Sequence, residues 1–81
     1  MTPKVNKIWI DSAFVYIQTD KGEIYKEKFD DYPRLRNATP LQRADFEHDN
    51  IGIRWESIDE DLSYSGFINT YYNKNGLESQ I

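Results

Sequence analysis

The sequence predicts an α+β fold, a small antiparallel sheet carrying two or three short helices. Three observations lead there. Residues 5–29 alternate in strand period and are broken twice by turn-forming stretches. Thr39-Pro40-Leu41-Gln42 has the composition of a helix start, and Ile51-Gly52-Ile53-Arg54-Trp55 then returns to strand alternation.

The first stretch predicts a three-stranded meander. Ile8 and Ile10 alternate with Trp9, and Phe14-Val15-Tyr16-Ile17 is aromatic and β-branched. Thr19-Asp20-Lys21-Gly22 precedes Glu23-Ile24-Tyr25-Lys26. Asp11-Ser12 makes a tight first turn, and Gly22 supplies the positive φ that closes the second hairpin, with a bulge. Val15 and Ile17 face the core, whereas Phe14, Tyr16 and Gln18 face outward. Trp9, Tyr16 and Tyr25 are then expected as an outer aromatic patch suited to an interface.

Asp31 is expected to cap a turn through Tyr32-Pro33-Arg34-Leu35. Thr39 as N-cap, Pro40 at N1 and Gln42 at N3 form a capping box that opens a helix to about Glu47, with Leu41 and Ala44 inward and Phe46 beside them. Asp49-Asn50 reads as a turn into a fourth strand over residues 51–55, whose Ile51, Ile53 and Trp55 share the core face. Gly52 leaves space opposite or marks a bulge. Ser57-Ile58-Asp59-Glu60 repeats the capping-box spacing and predicts a helical turn, and Ser63 caps a last short helix through Phe67 and Ile68. The domain is placed at residues 1–68, followed by a polar, frayed tail over 69–81.

Eighty-one residues suit one domain, and the two Trp, six Tyr and four Phe help so short a chain build a core. Without cysteine there is no disulfide, thiolate zinc site or cysteine nucleophile, so stability has to come from packing, to which a subunit interface would add. A net charge of −4 argues against broad nucleic-acid binding. No apolar run is long enough for a bilayer and the first residues lack a signal-peptide core, which predicts a cytoplasmic protein with no membrane contact.

The segments Tyr32-Pro33-Arg34-Leu35, Ala38-Thr39-Pro40-Leu41-Gln42-Arg43-Ala44, Gly52-Ile53-Arg54-Trp55 and Ile58-Asp59-Glu60-Asp61-Leu62-Ser63 follow one another in order. In this the chain resembles the short form of the bacterial family called domain of unknown function 2442, over residues 8–68. Phe46 stands where that family usually has tryptophan, Glu56 where it has proline, and the tail after Ile68 is an addition. The resemblance implies an α+β fold in a bacterial protein. Some relatives are fused to a helix-turn-helix domain and others are encoded beside a second small protein, settings that suggest toxin-antitoxin or regulatory partnerships.

The acidic group Glu56, Asp59, Glu60 and Asp61 reads first as capping and salt-bridging, second as a partner surface and last as a metal or catalytic site, since its spacing fits no calcium loop. Arg34 and Arg43 are expected to pair with Asp59 or Asp61 and lock the helices; with Arg36 they otherwise form a partner surface, or least often a nucleic-acid surface. His48 is expected to act through local electrostatics at a helix end, because nothing marks Ser12, Ser57, Ser63 or Ser65 as its nucleophile. The four glycines are isolated, so there is no phosphate loop.

These readings converge on a non-enzymatic protein-interaction module, antitoxin-like or regulatory, without cofactor, metal or catalytic residue. Its partner-binding candidates are Arg34, Arg36, Arg43, Asp59, Glu60 and Asp61, an acidic surface with arginine islands that suits a basic partner. Tyr32, Pro33, Leu35, Thr39, Pro40, Gln42, Trp55 and Leu62 form the structural signature. A protein encoded nearby is the expected partner, and a second copy of the chain is another. The alternative is a nucleic-acid-binding regulator using Arg34, Arg36 and Arg43.

Overall fold

The structure, a computed structural model, describes residues 3–75. The expected meander is present: β1 (Val5–Ile10), β2 (Phe14–Thr19) and β3 (Ile24–Lys28) pair antiparallel in that order. Asp11 builds the first turn, its Oδ1 accepting from the N–H groups of Ala13 (2.8 Å) and Phe14 (2.7 Å) while Oδ2 accepts from the Tyr16 hydroxyl. The tyrosine bond, with the two amides, holds the Asp11 carboxyl below its ordinary range. Gly22 closes the second turn at φ 86°, a left-handed conformation that glycine adopts without steric cost. The ladder irregularity lies between Val5 and Lys7, in β1.

Val15 and Ile17 face the core as expected, and Phe14, Tyr16 and Gln18 face outward. Tyr25 does not join the outer patch. It lies directly opposite Ile17 in the β2–β3 register, so its ring goes to the core side and is 7% exposed.

After β3 the chain makes a 3-10 turn, Phe29–Asp31, before α1 (Pro33–Arg36). The residue at the N-cap of α1 is Tyr32, whose side chain makes no capping bond, rather than Asp31. The Asp31 carboxylate instead meets Lys74 at 3.5 Å. In α2 (Pro40–Ala44) the capping box forms in both directions, Thr39 Oγ1 accepting from Gln42 N–H (3.1 Å) and Gln42 Oε1 from Thr39 N–H (2.9 Å).

That helix stops at Ala44, short of Glu47. Arg43's carbonyl, which a longer helix would have offered to residue 47, accepts the Trp55 indole N–H at 2.9 Å. Phe46 turns in to meet the Trp55 ring, 5.9 Å between centroids. Leu41 is 83% exposed and Ala44 is exposed, so neither is inward. The helix docks through Arg43, whose guanidinium lies 4.7 Å from the centre of the Phe29 ring.

The fourth strand is not alone. Glu47–His48 (β4), Gly52–Trp55 (β5) and Glu60–Ser63 (β6) form a second antiparallel sheet in that order. Ile53 and Trp55 are buried, but Ile51 precedes the strand and is exposed. A Cβ on Gly52 would stand 2.4 Å from the Leu62 carbonyl oxygen, so the missing side chain allows close approach of β6. The expected helical turn comes one residue earlier, as a 3-10 turn over Glu56–Ile58 with Trp55 and not Ser57 at its N-cap, and Asp59 then adopts φ 53° and reverses the chain onto β5.

Ser63 caps the last helix, its Oγ accepting from Gly66 N–H at 3.0 Å. This helix, α3 (Tyr64–Asn75), passes Ile68, so the expected domain boundary falls inside it; the tail from 76 to 81 lies outside the described residues. One core joins the layers: Val15, Ile17 and Tyr25 from the first sheet, Phe29 and Leu35 from the segment between, Ile53, Trp55 and Leu62 from the second sheet, Tyr64 and Phe67 from α3. Among the described residues no helix is long and apolar enough to cross a membrane.

Candidate functional site

Of the two arginines expected to pair with Asp59 or Asp61, Arg43 meets no carboxylate among the described residues, and Arg34 meets the backbone of Asp59 and the carboxylate of its neighbour Glu60. Arg43 donates from Nε to the Leu35 carbonyl (2.9 Å), from Nη2 to Arg36 (3.1 Å) and from Nη1 to Ser12 (3.3 Å). One planar fork therefore joins α1, α2 and the β1–β2 turn, which a point-charge ammonium cannot do. Arg34 donates to the Asp59 carbonyl oxygen at 3.0 Å and approaches the Glu60 carboxylate at 3.8 Å. Arg36 is exposed; its backbone carbonyl serves Arg43.

The carboxylates converge on Arg54, which the sequence reading left unpaired. Its guanidinium reaches Asp59 at 2.7 Å, Glu56 at 2.9 Å and Asp61 at 3.2 Å. Arg54 stands directly opposite Asp61 in the β5–β6 register, and this cross-strand attraction draws the acidic residues beside the sheet rather than onto a helix start. Arg54 depresses the Asp59 carboxyl below its ordinary range, and Asp59 with Glu56 raises the guanidinium. The arrangement is a surface ion network: all four side chains remain solvent-accessible, so water screens each pair.

The structural signature gathers at the junction between the two sheets. Leu35 and Trp55 are fully buried and Leu62 nearly so; Pro33 and Pro40 begin α1 and α2; Thr39 and Gln42 form the capping box. Tyr32 donates its hydroxyl to Glu27 Oε2 at 2.9 Å, and Thr70 donates to the same oxygen at 3.0 Å. Glu27 is 3% exposed and its Oε1 is buried without a hydrogen-bond partner among the described residues. The alternation Tyr25, Glu27, Phe29 was the available sign that this carboxylate faces inward.

Burial raises the Glu27 carboxyl above its ordinary value of 4.5, against the two hydroxyl bonds that lower it. Folding therefore favours its protonated form. The stabilising contribution is full below the unfolded value and is lost as pH rises through the raised folded one. Glu27→Gln keeps an acceptor for Tyr32 and Thr70 and removes that titration. The stability of the variant relative to wild type is expected to rise between pH 4 and pH 7 in urea melts. A difference independent of pH would contradict this assignment.

His48 lies on β4, beside a shallow cleft of about 510 Å³ bordered also by Asp49, Arg54, Asp61 and Ser63, and not at a helix end. Asp49 Oδ1 there accepts the N–H groups of Ile51 (2.8 Å) and Gly52 (3.0 Å), forming the β4–β5 turn. Among the described residues no three His, Asp or Glu side chains form a metal-binding group.

A different kind of surface covers the outer face of the first sheet. Trp9 and Tyr16 lie opposite each other in register and stack, 5.2 Å apart at 7°. Lys7 lies over the Trp9 ring at 5.3 Å and Lys26 over Phe14 at 4.4 Å. Toward the β3 edge this face runs into a groove of about 350 Å³, where Ile24, Lys26 and Lys28 meet Thr70, Tyr71 and Lys74 of α3. Sequence alternation located the rings, but only the docking of α3 brings Lys74 beside Lys26 and Lys28.

No curated protein and no solved structure matches this chain. The model of one family, described as Protein of unknown function (DUF2442), matches residues 5–71, which span both sheets, the junction that Arg43 ties and most of α3, and the chain belongs to that family.

Proposed function

We propose that the protein is a non-enzymatic interaction module, antitoxin-like or regulatory, that docks a protein encoded near it through the outer face of its first sheet. One observation carries this reading: exposed Lys7, Lys26 and Lys28 share a face with half-buried Trp9, Phe14 and Tyr16, on a chain whose net charge is −4. Aromatic rings anchor interfaces at low entropic cost, and a local cationic field steers an acidic partner. Arg34, Arg43 and Arg54 are engaged within the chain, which moves the docking surface from the arginines to the lysines.

A nucleic-acid reading has less support. It requires Arg34, Arg36 and Arg43 to act together on phosphates, and Arg43 is turned to three carbonyls. Bases would also have to displace ring partners, since Trp9 and Tyr16 cover each other and two ammonium groups lie over neighbouring rings.

The test is affinity purification of the tagged chain from its host with mass spectrometry, beside a Lys7→Glu/Lys26→Glu variant confirmed folded by circular dichroism. A stoichiometric protein partner recovered with wild type and lost with the variant is expected. Recovery of the chain alone would overturn the module, and a partner retained by the variant would exclude this face.

A further inference from the structure

Resting on that reading, we propose that the docking element is the free edge of β3, which takes an extended segment of the partner as an added strand, and that this segment alternates acidic with apolar residues. Glu23 accepts from Thr19 N–H (2.8 Å) and Phe29 donates to the Ala13 carbonyl (3.0 Å), so the odd-numbered positions of this strand direct their backbone groups at β2. Backbone groups alternate sides along an antiparallel strand. The N–H and C=O groups of Ile24, Lys26 and Lys28 therefore point away from β2. On that side β3 has no neighbouring strand among the described residues. The Lys28 carbonyl, as N-cap of the 3-10 turn that follows, takes the first bond of that turn, so the groups offered to another chain are those of Ile24 and Lys26 and the Lys28 N–H. Such an edge is a template for another chain.

The side chains around the edge state what that chain must look like. Lys26 and Lys28 stand on the outer side with Ile24, which is 53% exposed. On the other side the Tyr25 ring meets Tyr71 edge-on at 5.5 Å, and Tyr71 meets Tyr72 at 5.2 Å. Lys74, which also reaches Asp31, closes the groove, and among the described residues no carboxylate lines it. Half of the lysines of an acidic chain are collected here.

An added strand sends alternate side chains to opposite sides. Carboxylates at every second position meet Lys26 and Lys28; apolar or aromatic residues between them meet the tyrosines. The same lysines discourage pairing between two β3 edges, so they reject a like-charged strand as they select an acidic one.

The experiment uses the full ¹⁵N-labelled chain and three probes: a capped peptide alternating Glu and Val, the same peptide N-methylated at every second residue, and an oligothymidylate of equal length. The Glu-Val peptide is expected to shift and protect from exchange the amides of Ile24, Lys26 and Lys28. The methylated peptide, which keeps the charges but cannot complete the ladder, is expected to bind at least about tenfold more weakly. A folded Lys26→Glu/Lys28→Glu variant is expected to lose about tenfold as well.

Equal binding of the methylated peptide, unprotected β3 amides, or no binding of the Glu-Val peptide overturns the inference. Tighter binding of oligothymidylate overturns the choice of partner. Dimers that form with concentration and vanish in the lysine variant overturn it in favour of a second copy. A partner co-purified from the host that leaves these amides unprotected sinks strand addition alone and leaves the interaction module standing; failure to recover any partner sinks the module.

Discussion

Trp55→Ala is expected to remove about half of the domain's stability or more. The ring is fully buried where the second sheet meets the chain segment from the first, touches Phe46, and donates its indole N–H to Arg43 at 2.9 Å. Truncating a buried tryptophan costs about 3–5 kcal/mol. The Arg43 carbonyl also loses a partner, at a further cost of about 1 kcal/mol or more. A domain of this size has roughly 4–12 kcal/mol in total. Urea melts followed by circular dichroism should show the midpoint falling by about half or more at unchanged slope. Trp55→Phe, which keeps most of the apolar volume and removes the N–H, should lose about 1–3 kcal/mol. A loss below about 1 kcal/mol for the alanine variant would mean the two sheets do not share this core.

Arg43→Lys is expected to cost about 2–4 kcal/mol although it conserves charge. Three donors in a fixed plane serve three carbonyls, at Leu35, Arg36 and Ser12, and the guanidinium covers the Phe29 ring. Lysine can satisfy at most part of that set, and each bond from a charged donor is worth about 1.5–3 kcal/mol, less what water recovers at the exposed ones. Arg36→Lys, at an exposed neighbouring position, is the control and should change stability by no more than about 0.5 kcal/mol. Equal small losses for both would remove Arg43 from the junction. A loss confined to Arg43 makes the Gln-Arg-Ala segment a tie between elements.

Local chemistry accounts for what was legible beforehand. Strand period placed Val15 and Ile17 inward, and Thr39 with Gln42 located a capping box whose bonds lie within four residues. Ser63 capped its helix for the same reason. The misreadings share another origin. Thr-x-x-Gln and Ser-x-x-Glu have the same spacing, yet only the first forms its capping box, because in the second Glu60 turns to Arg34 and Asp59 to Arg54. Leu41 looked like the inward residue of its helix, yet the docked residue is Arg43, whose partners lie eight and thirty-one residues away.

By itself, the sequence determined the α+β class, the meander and its inward face, the turns at Asp11 and Gly22, two helix starts and Trp55 as the core anchor. Each depends on alternation, capping or turn chemistry between near neighbours. Only the tertiary structure decided that residues 47–48 and 60–63 flank the fourth strand, that Arg54 collects the carboxylates, that Glu27 is buried under Tyr32 and Thr70, and that three lysines from two elements share one groove. Those outcomes turn on contacts between residues far apart in the chain, where a carbonyl or carboxylate chooses among partners that local spacing does not reveal.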